Sequence, residues 1–174
     1  MKRYTEKLFR VGKNGMESNK ILVTGGGGYI GSHVVKKLLE NNHSVLVIDN
    51  FSTGYIEPLA LLKKKYENLE FINVDLLDKD KLNEIFLKFN IDAVIHLAAK
   101  IDVNESIKNP NKYYQVNYIG GVNLVNAMLS SGVRKIIFSS TAAVYGNPKC
   151  TPIDENHPIL PLNPYGQTKA DFEK

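Results

Sequence analysis

The sequence predicts an α/β fold, a doubly wound parallel sheet in which a helix follows each strand. The first observation is that short apolar stretches recur along the chain, each followed by apolar residues at helical spacing. The second is that these stretches are apolar at successive positions, which is typical of strands covered by helices on both faces. Ligands of such sheets bind at the carboxyl ends of the strands, so we expect the functional residues there.

The first strand, residues 21–24, runs into a glycine-rich turn and then into a helix. Each glycine meets a separate need: Gly25 allows a sharp turn, Gly28 allows a pyrophosphate to approach the main chain, and Gly31 allows close packing of the helix. The N-terminus of the helix adds free N–H groups and partial positive charge. This pattern predicts a dinucleotide site, and a purely structural glycine turn is the alternative.

The second strand, residues 44–48, ends at Asp49. This residue follows the glycines by about 20 positions, the offset of the carboxylate that binds a ribose in Rossmann-type domains. Asp49 would repel the 2′-phosphate of NADP, and no arginine follows it in residues 50–54. The sequence therefore predicts an NAD site.

The remaining elements continue the alternation of strand and helix. Further strands are predicted at residues 69–74, 93–97 and 135–140. Further helices are predicted at residues 58–66, 78–89 and 110–131, and from residue 164 onward. For the long helix we expect Asn109 as the N-cap, Pro110 as the first residue and Gly132 as the stop.

The composition excludes several classes of protein. The length of 174 residues suits one domain with a substantial core. Cys150 is the single cysteine, which excludes an intramolecular disulfide and a two-cysteine metal site, and the histidines lack metal-ligand spacing. No apolar run reaches the ~20 residues of a membrane span, so we expect no membrane association and a cytoplasmic location.

The net charge of +4 belongs to the first 15 residues, which hold five basic residues and one acidic residue. The rest of the chain is neutral, so we do not expect a nucleic-acid partner. We predict that residues 1–18 are a basic disordered tail and that residues 19–174 form the dinucleotide-binding domain. This domain is expected to be incomplete, because no apolar segment remains for a sixth strand or a substrate domain.

Two polar groups of residues indicate chemistry. Tyr165 and Lys169 are spaced i, i+4 at the start of the last helix, so they share a face. A nearby ammonium favours the phenolate, which allows a tyrosine to act as a base. Thr141 follows two serines after the fifth strand, where its hydroxyl could hold a substrate oxygen near the tyrosine. The alternatives are a solvated helix pair and ordinary turn chemistry.

Six motifs together make the sequence resemble the N-terminal part of the extended short-chain dehydrogenases/reductases, in the NAD-dependent epimerase/dehydratase family, and most of all its nucleotide-sugar 4-epimerases. The motifs are TGGGGYIGSH (24–33), DNFSTG (49–54), HLAAKIDVNES (96–106), YYQVNYIGG (113–121), FSSTAAVYG (138–146) and PLNPYGQTK (161–169). The resemblance covers residues 20–174.

The resemblance implies a role for each matching position. The residues implied to bind the cofactor are Gly25, Gly28, Tyr29 and Ile30 at the pyrophosphate, Asp49 and Asn50 at the adenosine ribose, Asp75 and Leu76 at the adenine, Leu97, Ala98, Ala99 and Asn117 along the channel, and Tyr165 and Lys169 at the nicotinamide end. The residues implied to be catalytic are Tyr165, Lys169 and Thr141, with Thr141 and Tyr165 also binding the sugar.

By the same resemblance, the reaction interconverts UDP-glucose and UDP-galactose. Tyr165 removes the proton of the sugar 4-hydroxyl while NAD⁺ accepts the C4 hydride, the 4-keto sugar turns over, and the hydride returns to its other face. The resemblance further implies a homodimer, formed through the long helix and the last helix.

Residues Ala142 and Ala143 bear on the alternatives within the family. The family's 4,6-dehydratases carry Asp-Glu at these positions, an acid–base pair for the elimination of water. Its absence makes a dehydratase the weaker alternative. Epimerases of UDP-N-acetylglucosamine or UDP-glucuronate remain open, as does a non-catalytic NAD-binding module.

Overall fold

The computed structural model describes residues 20–174, so the predicted tail at residues 1–18 lies outside the described residues. The centre of the molecule is a parallel sheet of five strands in the order β3-β2-β1-β4-β5. The strands are β1 (Lys20–Thr24), β2 (Ser44–Asp49), β3 (Leu69–Asn73), β4 (Ile91–His96) and β5 (Ile136–Phe138). The predicted doubly wound parallel sheet is therefore confirmed, and the strand order reverses between β1 and β4.

Helices cover both faces of this sheet. Their bounds are α1 (Tyr29–Glu40), α2 (Glu57–Lys65), α3 (Lys79–Lys88), α4 (Val103–Lys108), α5 (Pro110–Tyr113), α6 (Gly120–Ser130) and α7 (Pro164–Glu173). No helix within residues 20–174 has both the length and the apolar character to cross a bilayer.

Successive side chains of the central strands enter two separate cores, as the alternation of a strand requires. On one face Leu22 and Leu46 pack with Phe86 of α3 and Leu124 of α6. On the other face Val23 and Val47 pack with apolar residues of α1 and α2. This two-sided burial explains why the central strands are apolar at successive positions.

The predicted helix at 110–131 is wrong as a single element. The structure has α5, then a π-helical turn (Tyr114–Ile119), then α6. Asn109 occupies the expected N-cap position, but its side chain makes no capping hydrogen bond. The predicted stop is confirmed, since Gly132 follows α6 with a φ of +78°.

The fifth strand is shorter than the predicted residues 135–140, because pairing with β4 ends at Phe138. Beyond it, the Ser139 amide donates to the His96 carbonyl (3.1 Å) and the chain leaves the sheet. Ile136 and Ile137 at this edge are 39% and 43% exposed. Ile136 lines an apolar cavity of about 560 Å³ between β5, α6 and the end of α7.

Candidate active site

The glycine turn between β1 and α1 has the backbone geometry that the sequence predicts. Gly25 has a φ of +73°, and a Cβ atom there would lie 2.6 Å from the Ala98 amide nitrogen of the loop after β4. At Gly31 a Cβ atom would collide with the Gly25 carbonyl oxygen, so this glycine lets α1 pack directly onto the turn. Both conformational predictions are confirmed.

The start of α1 fits a pyrophosphate. Gly28 is the N-cap and offers no side chain to the first amides, and the first turn of the helix contains no acidic residue. A Cβ atom at Gly28 would meet nothing closer than a carbonyl oxygen at 3.4 Å, so the approach is open. Tyr29 and Ile30 are 83% and 63% exposed beside it. Unpaired N–H groups and the helix dipole can thus face an anion.

Asp49 fastens the loop after β2 to the glycine turn. Its carboxylate oxygens accept hydrogen bonds from the amides of Gly27 (2.8 Å) and Phe51 (2.8 Å). A carboxylate has about four lone-pair sites, so both oxygens can also accept ribose hydroxyls. The predicted ribose role stays a prediction, now with a structural role beside it.

The neighbouring polar residues continue this arrangement. The Asn50 side chain donates to the Asp75 carboxylate (2.7 Å), whose other oxygen accepts the Leu77 amide (2.9 Å). The buried Leu76 between them has its carbonyl bound by Asn123 (3.0 Å). The structure therefore brings together the residues predicted for the adenosine half of a cofactor.

Thr24, for which the sequence predicts only a place in the first strand, organises the loop after β4 on the other side of the glycine turn. Its buried hydroxyl oxygen accepts the amides of Leu97 and Ala98 (both 3.2 Å) and lies 2.7 Å from Nδ1 of His96. An oxygen that already accepts two N–H groups donates its own proton to Nδ1, which places the imidazole proton on Nε2. A hydroxyl at the last position of a buried strand was the available signal.

His96 is held neutral by this environment. Burial, assisted by the Lys169 charge, lowers its pKa to about 3. The ring packs against Phe138 and Phe172. His96 is therefore a packed, hydrogen-bonded core histidine, and among the described residues no group of three or more His, Cys, Asp or Glu could hold a metal ion.

Asn117 lies in the π-helical turn and holds the loop after β4. Its side chain accepts the Lys100 amide (2.8 Å), donates to the Lys100 carbonyl (3.0 Å) and donates to Thr168 (3.2 Å). Thr168 in turn donates to the Tyr165 carbonyl (2.8 Å). The loop containing Leu97, Ala98 and Ala99 is thereby connected to the helix that carries Tyr165.

Tyr165 and Lys169 are in the first two turns of α7, as predicted. Asn163 caps this helix by accepting the Gly166 amide (2.8 Å). A Cβ atom at Gly166 would lie 2.6 Å from the Ala143 carbonyl oxygen, so α7 begins directly against the 3₁₀ turn (Ala142–Tyr145) that follows Thr141. Because of this contact, the start of α7 lies next to the Thr141 loop.

The hydroxyl of Thr141 accepts the Ala143 amide (3.2 Å), so it caps the 3₁₀ turn. Its proton remains able to donate to a substrate oxygen. The adjacent Ser140 hydroxyl bonds to the Glu173 carboxylate, a contact that the sequence reading missed. The i, i+4 spacing from Lys169 to Glu173 was the only hint of it.

Lys169 is 3% exposed, and its ammonium donates to the Ser139 carbonyl (2.9 Å) while lying 4.6 Å from the centre of the Phe138 ring. Burial lowers its pKa to about 8, partly opposed by Glu173. The cation is already fixed at the carboxyl end of β5, so it could stabilise a negative charge that develops nearby without first having to rearrange.

The fold and this site define the dinucleotide-binding part of a protein of the extended short-chain dehydrogenase/reductase class. Residues 22–174 match the family described as GDP-mannose 4,6 dehydratase, and the chain belongs to that family.

Among curated proteins, the UDP-glucose 4-epimerase of Halalkalibacterium halodurans is 47% identical over 154 residues, which cover 88% of this chain and 44% of that protein. Among solved structures, the UDP-Glc/GlcNAc 4-epimerase of Campylobacter jejuni is 41% identical with a TM-score of 0.86, covering 89% of this chain and 47% of that one. The UDP-glucose 4-epimerase of Bifidobacterium longum, in complex with NAD⁺ and UDP, is 36% identical with a TM-score of 0.85, covering 89% and 47%.

The chain thus spans about half the length of the curated relatives it matches. The resemblance to nucleotide-sugar 4-epimerases and the Rossmann-type fold are both confirmed.

Proposed function

We propose that this chain is the NAD-binding part of a nucleotide-sugar 4-epimerase that interconverts UDP-glucose and UDP-galactose. The observation that carries the proposal is the contact of Gly166 with Ala143, which sets Tyr165 and Lys169 beside Thr141 at the carboxyl end of the sheet. The open glycine turn lies on the same edge of the sheet, so a dinucleotide bound there would reach both groups.

The chain's own residues have distinct tasks in this proposal. Tyr165 removes the proton of the sugar 4-hydroxyl and returns it at the end of the cycle. Lys169, fixed by the Ser139 carbonyl, supplies positive charge that stabilises the phenolate. Thr141 donates a hydrogen bond that orients the sugar. When bound, NAD would supply the hydride acceptor and donor for C4.

The residues after Thr141 favour epimerisation over dehydration. Ala142 and Ala143 form a 3₁₀ turn and provide no acid or base, so nothing at these positions can protonate a leaving hydroxyl. Dehydration, the reaction in the name of the matched family, is therefore the weaker alternative for this chain.

The rest of the proposal concerns the whole protein. We propose a homodimer that uses the helices at 110–130 and 164–173, and further chain that covers the apolar cavity beside β5. That further chain would bind the UDP of the substrate.

The test is turnover of UDP-galactose by the product of the uninterrupted reading frame that contains residues 1–174. We expect conversion to UDP-glucose and a loss of at least about 100-fold in kcat for Tyr165→Phe, the size of a general-base contribution. Tyr66→Phe, at the far end of α2, is the matched control and should retain full activity.

No turnover of UDP-galactose by folded, NAD-loaded protein would contradict the assignment of the sugar. Turnover of UDP-N-acetylglucosamine instead would keep the reaction and change the substrate. Full activity of Tyr165→Phe would contradict the proposed base.

A further inference from the structure

The end of β5 places an aromatic ring beside the buried ammonium of Lys169. The nitrogen lies 4.6 Å from the centre of the Phe138 ring and donates to the Ser139 carbonyl (2.9 Å). Within residues 20–174 this ammonium belongs to no ion pair. A buried charge needs partners, and the negative face of an aromatic ring can take the place of a carboxylate. The Phe138 ring is therefore the second partner of this charge, after the Ser139 carbonyl.

The position of the Phe138 ring is fixed by two other rings. It stacks against His96, its partner in the register of β4 and β5, with the ring centres 5.5 Å apart. It also meets the Phe172 ring at an angle of 64°, with the centres 4.6 Å apart. Phe172 is held in turn by α6, because a Cβ atom at Gly121 would lie 2.6 Å from its ring. The ring beside Lys169 thus has a place determined by β4, α6 and α7.

The charged and titratable groups around Lys169 leave this ring to the ammonium. Burial, assisted by the Lys169 charge, lowers the pKa of His96, so no second cation competes for the Phe138 ring. Burial also lowers the pKa of Lys169, and the Glu173 carboxylate, one turn further along α7, opposes that shift. The same carboxylate accepts the Ser140 hydroxyl. Tyr165, one turn earlier, shares the helix face with Lys169.

We propose that Phe138 is a positioning residue for Lys169, whose ammonium it holds against the face of its ring at the carboxyl end of β5. The ring attracts the cation but accepts no conventional hydrogen bond, so two of the three N–H donors stay free beside the one used by Ser139. A carboxylate in its place would cancel the positive charge that favours the Tyr165 phenolate. This inference rests on the proposed function, since it gives Phe138 a part in the proposed catalytic site.

The test replaces Phe138 by trifluorophenylalanine, which nearly keeps the shape of the ring but withdraws electron density from its face. In the 174-residue chain, the ionisation of Lys169 is followed by the pH dependence of its side-chain NMR signal, assigned by its loss in Lys169→Met. We expect the pKa of Lys169 to fall by about 1, a tenfold change in its ionisation equilibrium, which is the size of a partly desolvated cation–π contact. Monofluorophenylalanine should cause a smaller fall, and Phe138→Tyr should retain most of the wild-type value.

The matched control is trifluorophenylalanine at Phe89, whose ring lies near the ammonium groups of Lys20 and Lys88. This replacement should leave the pKa of Lys169 unchanged. In the product of the uninterrupted reading frame, fluorination of Phe138 should move the alkaline limb of the kcat profile to lower pH by the same amount, with little change in KM for UDP-galactose. A ring that only filled space would not move this limb.

An unchanged pKa of Lys169 after fluorination of Phe138 would overturn the inference and leave the proposed function standing. An equal fall after fluorination of Phe89 would also overturn it, because the effect would then not come from the ring beside Lys169. If fluorination of Phe138 lowers this pKa while the unmodified whole protein fails to turn over UDP-galactose, the contact is supported and the proposed function alone is contradicted.

Discussion

Lys169 carries a buried ammonium group, and its burial lowers the stability of the fold. Its surroundings provide one carbonyl and one aromatic ring, and burial lowers its pKa to about 8. In the unfolded chain the pKa returns to about 10.5, so the unfolded state binds more protons between these values. The buried charge therefore destabilises the native state below about pH 8, and this penalty disappears as the pH rises through about 10.5.

We predict that Lys169→Met stabilises the fold at neutral pH by about 1–2 kcal/mol, less than the full pKa shift because the Ser139 carbonyl loses its donor. The advantage should shrink between about pH 8 and pH 10. Urea unfolding of both chains at several pH values measures it. A variant less stable than the wild type at about pH 7 would contradict the prediction.

His96 gives a pH dependence of the same sign at lower pH. Its native pKa of about 3 lies below the unfolded value of about 6.5, so the unfolded state binds more protons between them. Stability is full above about pH 6.5 and is lost as the pH falls toward 3, by about 1.4 kcal/mol per unit.

We therefore predict that the free energy of unfolding of the wild type falls by about 2 kcal/mol between pH 6.5 and pH 5 because of His96. This component should be missing in His96→Asn. Denaturant midpoints at about pH 7, 6 and 5 test the difference in slope. Parallel slopes for the two chains would show that His96 does not carry the effect.

At the scale of elements, the π-helical turn at Tyr114–Ile119 is the main departure from regular structure. It holds Asn117, the residue whose three hydrogen bonds join the loop after β4 to α7. π-helical turns are rare and are found often at functional sites. Here the turn lies where a side chain must satisfy both backbone groups of Lys100.

We predict that Asn117→Ala lowers the free energy of unfolding by about 2–3 kcal/mol, because it leaves the amide and the carbonyl of Lys100 without hydrogen-bond partners. Hydrogen exchange of the Lys100 amide should accelerate, since that amide donates to Asn117. Asn126→Ala, at an exposed position of α6, is the control and should change stability by no more than about 0.5 kcal/mol. Equal urea midpoints for the two variants would contradict the prediction.

The elements that the sequence predicted share a local cause. β1 and the glycine turn are specified by adjacent residues, and so is α7, whose Asn163 and Pro164 begin it. The missed features depend on partners distant in sequence. Thr24 bonds to His96 across 72 residues and Asn117 to Thr168 across 51, and neither pair is visible from spacing. The six residues of α4 were too few for a recognisable helical period.

At the scale of the whole molecule, the site is made by convergence at one edge of the sheet. Three strands end there with site residues: β1 with Thr24, β2 with Asp49 and β4 with His96. Ser139 directly follows the end of β5. The position of Asp49 at this edge was predictable, because parallel strands place their carboxyl ends together. The hydrogen bond from the Lys100 ammonium to the Ser52 hydroxyl was not, because it requires the strand order and the direction of one side chain.

The β5 edge of the sheet carries exposed apolar side chains, and this leads to a prediction about association of the chain with itself. The β5 edge exposes Ile137 and also Ile136, which lines the apolar cavity, and unprotected edge strands of this kind pair with other chains. We predict that the 174-residue chain binds a hydrophobic dye and associates with rising concentration in sedimentation velocity. Ile137→Lys should reduce both effects while leaving NAD binding intact, because a charge on an edge strand opposes pairing.

Leu87→Lys is the matched control, since Leu87 is 83% exposed on α3 and does not line the cavity, and its replacement should not change association. A chain that stays monomeric up to about 100 µM would contradict the prediction, because a contiguous apolar edge favours association at that concentration. Association that persists unchanged in Ile137→Lys would assign the contact to another surface, such as the helices proposed for the dimer. The comparison thus separates pairing through the open edge of the sheet from the dimer proposed for the whole protein.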